Sequence, residues 1–250
     1  MEHPNSENAH HASGPTGFGE TLGAIFGNYG KVFAAILPAA LALGILTELS
    51  SALMAEDMLR LEHGQPPEGG LWLGAALMLI ASIYFWAVAL YQADKTLGNG
   101  TVDNAFSTAW SRFLPLLGYM ILYGLACFVG GLLLIIPGIF VMVLFAIGMT
   151  LIVLRDNGVF QAFGNSARLI WNRSWWFTFG LFVVLGLVVG IPAGIVETLI
   201  ADLRLSEGMG ERLFAHIIGV IMMVVIYPVT VSLFWHLLQA LEARKPGVQR

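Results

Sequence analysis

Long apolar runs separated by short polar ones dominate the chain. Val32 to Ala55, Leu71 to Ala93, Trp176 to Val196 and Leu213 to Ala240 each approach or exceed the span of about 20 residues that a helix needs to cross a bilayer. Phe113 to Leu154 holds no charged residue and is about twice that length. It must therefore contain two helices and a turn, with Ile136-Pro137-Gly138 as the expected breaker. Open sheet edges are not tolerated in lipid, so the pattern predicts an all-α membrane protein with six transmembrane helices. The expected layout is a polar, disordered tail over 1–16, a six-span membrane domain over 17–242 and a C-terminal tail over 243–250.

A weaker periodicity sits on top of the spans. Phe18, Leu22, Ile25, Phe26, Tyr29 and Phe33 recur at helical spacing before the first span, and Val102, Ala105, Phe106, Ala109, Trp110 and Phe113 do so before the third. Phe160, Phe163, Ala167, Ile170, Trp171 and Ser174 repeat the pattern less cleanly before the fifth. The local wording also recurs: Asn99-Gly100 then Ala105-Phe106, against Asn157-Gly158 then Ala162-Phe163. Together these predict three hairpins, each introduced by an amphipathic helix at the cytoplasmic interface. The polar face of the third helix would present Asn165, Arg168 and Asn172 to headgroups. The blander reading is that any loop between membrane helices is amphipathic near its ends.

Composition supports the membrane assignment. Apolar residues make up 57% of the chain and charged residues 11%, with a mean hydropathy of +0.78. That leaves too little charge for a wet surface, since soluble domains carry about 25%. The net charge of -4 points away from nucleic acid as a partner. Charge does settle an expected orientation. With six spans, nine of the twelve Lys and Arg residues fall on the side of the termini, and only Arg60, Arg204 and Arg212 fall on the other. The positive-inside rule then makes both ends cytoplasmic.

Few residues offer chemistry. Glu48 is the only acid inside an expected span, about 10 Å from its outer end at 1.5 Å per residue. An acid at such a depth is a candidate for proton or ion transport, and His216 should enter the sixth span at a similar depth. Alternatively the helix ends sooner and leaves Glu48 among headgroups. Arg155, Asp156, Asn165, Ser166, Arg168, Trp171 and Arg173 form the densest polar cluster, read either as a site for anionic lipid headgroups or as ordinary positive-inside topology. Gly186, Gly190 and Gly194 form a small-xxx-small face suited to helix packing or a homodimer. The single cysteine, Cys127, has no partner for a disulfide, and His3, His10 and His11 are read as solvated side chains. Phosphate-binding glycine loops, HExxH, cysteine pairs and Gly-x-Ser-x-Gly are all missing, so no catalysis, metal or cofactor is expected.

The run from Ile135 through Pro137-Gly138 to Leu144, then Ile152-Val-Leu-Arg-Asp-Asn-Gly-Val-Phe and Ser166-Ala-Arg-Leu-Ile-Trp-Asn, resembles the YciC-like family of bacterial inner-membrane proteins. More loosely, it is similar to the membrane domain attached to some glycerophosphodiester phosphodiesterases. The resemblance implies a multi-pass protein of a bacterial inner membrane. It does not imply phosphodiesterase activity, which belongs to a soluble domain of that enzyme. The resulting expectation is a non-enzymatic protein that binds membrane lipids or supports envelope integrity. The rival expectation is a small transporter or channel using Glu48 and bent helices.

Overall fold

Apolar runs of this length satisfy every backbone N–H and C=O only by folding as helices. The computed structural model describes residues 17–98, 100–171, 173–204 and 208–244, and among them every regular element is helical. The expected tail over 1–16, Asn99, Asn172 and the chain from 245 onward lie outside the described residues, as does the side chain of Arg173. In chain order the elements are α1 (Phe18–Gly27), α2 (Tyr29–Glu62), α3 (Gly70–Leu97), α4 (Ala105–Ser111), α5 (Phe113–Leu133) and α6 (Ile135–Leu144). They continue as α7 (Gly148–Arg155), α8 (Val159–Ile170), α9 (Arg173–Leu185), a π-helical turn (Gly186–Gly190), α10 (Ile191–Arg204) and α11 (Met209–Arg244).

Six segments are long and apolar enough to cross a membrane: α2, α3, α5, α6 with α7, Ser174–Ala201 and α11. A short helix stands before α2, α5 and α9, where the periodicity places one. The bundle is built on α2, which packs along α3 and along α11. At Gly74 a Cβ would meet Ser50 O at 2.7 Å, so the two backbones approach as closely as only glycine permits. α2 runs to Glu62, past the expected end at Ala55, because its last turns are anchored. The buried Asp57 carboxylate accepts N–H bonds from Glu68 (2.8 Å), Gly69 (3.1 Å) and Leu71 (2.7 Å), which fixes the turn into α3.

The break between α5 and α6 falls at Leu134, two residues before the expected breaker. Pro137 instead sits in the first turn of α6, where a missing N–H is not needed. Gly138 lies against Gly130 and Gly131, so the hairpin is closed backbone to backbone.

Burial is uneven. Gly148, Thr150, Leu151, Ile152 and Val153 of α7 are all buried, and so are Trp235, His236, Leu237, Leu238, Ala240, Leu241 and Glu242 of α11. The core therefore gathers at the end of the bundle that carries α1 and the last turns of α11, called here the near end. The connection from α2 to α3 marks the far end. The short helices join this core on one side. Thr21 and Ile25 of α1 are buried, with Ser232 Oγ donating to Ile25 O at 3.2 Å, and Ala162, Ser166, Leu169 and Ile170 of α8 are buried against α7. Phe26 and Phe160 of these helices, and Trp171 just after α8, are exposed.

Candidate functional site

The far end carries an ionic cluster assembled from three helices. Glu48 of α2 is only 9% exposed although fourteen residues of the same helix follow it, which removes the reading in which the helix stops short. Its Oε1 lies 2.9 Å from Arg204 Nη2, and its Oε2 lies 2.8 Å from His216 Nδ1. Arg204 also pairs with Glu197, two turns earlier on the same face of α10. The close approach depends on Gly219 of α11, where any Cβ would collide with the Glu48 carboxylate. Arg204 Nε is buried without a hydrogen-bond partner among the described residues. The sequence signals the Glu48–His216 pair through matching depth, whereas Arg204 reads as an external-loop residue because nothing marks α10 as continuing so far.

The polar cluster of the near end divides in the structure. Arg155 grips Glu242 of α11 with Nε at 2.8 Å and Nη2 at 2.7 Å, a bidentate fork. Asp156 takes the left-handed position after α7 and pairs with Arg112, whose guanidinium this hydrogen bond holds charged above its ordinary range. Ser166 Oγ donates to Leu144 O at 2.8 Å and is buried. Arg155, Asp156 and Ser166 thus serve the packing of α7 and α8. Arg168 and Trp171 are exposed, and Asn165 is half-buried. Trp235 is buried and donates to Asp94 Oδ1 at 2.8 Å. His236 beside it is also buried, 3.4 Å from the Asn28 amide.

Apolar crevices open between the loosely packed elements. One of about 620 Å³ is lined by Ile136, Ile139, Phe140, Trp171, Trp175, Trp176 and Phe179, at the point where α8 gives way to α9. Its walls are aromatic pairs: Phe140 packs edge-on to Trp171 and stacks on Trp175, each at 5.5 Å. A second, of about 750 Å³, lies between α3, α6, α7, α9 and α11, with Trp86, Phe182, Thr230 and Phe234 on its wall. The Trp86 indole N–H is buried and has no partner among the described residues. A third, of about 420 Å³, runs along α5 and α6. Neither Glu48 nor His216 lines any of the three.

The glycine face of the fifth span falls in and beside the π-helical turn. A Cβ at Gly186, Gly190 or Gly194 would meet nothing within 4 Å, so among the described residues no helix packs closely on that face. Compared with known proteins, the chain matches no family model, no curated protein and no solved structure.

Proposed function

We propose that this chain is a non-enzymatic multi-pass membrane protein that binds anionic lipid at the near end, headgroup on α8 and acyl chain in the tryptophan-lined crevice. The crevice carries the reading. It starts where the arginine-bearing helix ends, and Trp171, Trp175 and Trp176 stand around it. Indole rings favour the headgroup level of a bilayer, with the apolar body inward. Arg168, exposed on α8 one turn before Trp171, supplies a planar fork for phosphate, with Asn165 beside it. The proposed setting is a bacterial inner membrane with both ends cytoplasmic, in keeping with the charge bias and the YciC-like resemblance. Support of envelope integrity is the role that such lipid binding would serve.

Native mass spectrometry of protein extracted from vesicles of mixed phosphatidylglycerol and phosphatidylcholine tests this. Wild type should retain phosphatidylglycerol preferentially. Arg168→Ala should weaken that preference about fivefold, from about 1 kcal/mol per arginine at an anionic surface. Equal retention of both lipids, unchanged by Arg168→Ala and Trp171→Ala, would end the proposal.

A second reading, a small transporter or channel, rests on the 2.8 Å contact between Glu48 and His216. It predicts a proton leak through reconstituted vesicles that Glu48→Gln abolishes. Wild-type vesicles as tight as empty ones would discard it.

A further inference from the structure

The hairpin formed by α5 and α6 carries no charged residue, and its tip is bare aliphatic surface. Leu132, Leu133, Leu134, Ile135 and Ile136 are 69–80% exposed. A hairpin that crossed the bilayer would hold this tip in the headgroups or water of the far face, with no polar residue to meet them. Its contacts put it elsewhere. Phe140, four residues from Ile136, lies against Trp171 and Trp175, and Trp175 Nε1 donates to Phe140 O at 3.4 Å. Trp175 belongs to the first turn of α9. Phe177, two residues on, lies 3.6 Å beneath Arg244 from the last turn of α11 and 6.2 Å from Phe18 of α1. Every one of these partners marks the near end.

Ile136 itself shares a crevice with Trp171, Trp175, Trp176 and Phe179. Phe179 is only five residues into the span that begins at Ser174. At 1.5 Å per residue that is about 8 Å, against a hydrocarbon core about 30 Å thick. A crossing hairpin would set its tip level with Asp57 and Arg204 instead. The turn is also built for an apolar medium, because Leu134 N–H donates to Gly130 O and Gly138 N–H to Leu134 O, each at 3.2 Å.

We propose that the α5–α6 hairpin enters and leaves through the near face, with its tip in the acyl chains of that leaflet. The chain then crosses the bilayer four times, by α2, α3, the segment Ser174–Ala201 and α11. The partner of this surface is the acyl layer of one leaflet. α5, about 31 Å long at 1.5 Å per residue, lies obliquely in it, with the exposed Leu114, Ile121, Leu125 and Phe128 facing lipid. Both chain ends stay on one side, since four crossings and six share parity. The charge count cannot distinguish the two, because the tip has no charge to count. A wedge in one leaflet adds area to that leaflet alone, so the hairpin favours a membrane curved toward its own face.

The test is a nitroxide on Leu134→Cys, in a Cys127→Ser background, in lipid vesicles, with Gln65→Cys as the far-face reference. The proposal expects the Leu134 label to collide freely with oxygen and poorly with a water-soluble nickel chelate. It also expects Leu134→Cys to resist an impermeant maleimide applied to the far face, while Gln65→Cys reacts. A Leu134 label as accessible as Gln65 to chelate and maleimide from the far face would overturn it. A circular dichroism spectrum matching wild type for each variant keeps either result interpretable.

Discussion

Glu48 keeps its place in a membrane helix because its charge is shared. Arg204 and His216 take one carboxylate oxygen each, and the carboxylate fits only because residue 219 is glycine. Gly219→Ala should therefore lower thermal stability in detergent by about 1–3 kcal/mol, the usual range for a forced overlap. Gly194→Ala, with open space at its Cβ, should stay within about 0.5 kcal/mol of wild type. The near end depends on a second pair. Glu242 is buried and relies on Arg155, whose side chain is 31% exposed. Arg155→Ala leaves a buried carboxylate without its fork and should cost about 1–3 kcal/mol. Adding Glu242→Gln should restore part of that loss, and thermal melting of the three variants measures it. Half of this chemistry was legible in the sequence. Equal depth along two apolar runs is enough to bring Glu48 toward His216. Arg155 and Glu242 are 87 residues apart, and nothing local to either signals the other.

Among the elements, departures from regular helix have identifiable causes. The fifth span passes through a π-helical turn at Gly186–Gly190 immediately before Pro192. Proline lacks the N–H of the regular ladder and crowds the preceding turn, and a π turn accommodates both defects. The α5–α6 hairpin closes through glycine. At Gly138 a Cβ would lie 3.1 Å from backbone atoms of Gly131, which cannot yield as a side chain can. Gly138→Leu should splay the hairpin and destabilise the protein by about 1–3 kcal/mol in thermal melts. Gly124→Leu, on the same hairpin with open space at its Cβ, should be tolerated. Hydropathy reveals that helices exist here because apolar length is a one-dimensional signal. It does not reveal that α7 is buried while α5 is largely exposed, since both read as uninterrupted apolar chain. Nor does it separate the short helices' exposed aromatics from the side chains, such as Ile25 and Leu169, that seal the core.

At the scale of the whole molecule the two ends differ in kind. The far end is held by ions and by the Asp57 turn, while the near end gathers the buried core, the short helices and the tryptophan crevice. The proposed lipid recognition belongs at the near end, where aromatic walls meet the exposed Arg168. Most of the large apolar side chains exposed on α2, α3 and α11 are aliphatic. The proposed lipid capture is therefore local, and its position is measurable. A phosphatidylglycerol analogue with a photoreactive diazirine on its acyl chain, cross-linked in vesicles and mapped by peptide mass spectrometry, tests this most directly. Cross-links should concentrate on Ile139, Phe140, Trp175 and Phe179, and should fall when Arg168 is replaced by alanine. Labelling spread evenly over the lipid-facing helices, or identical with a phosphatidylcholine analogue, would contradict the account.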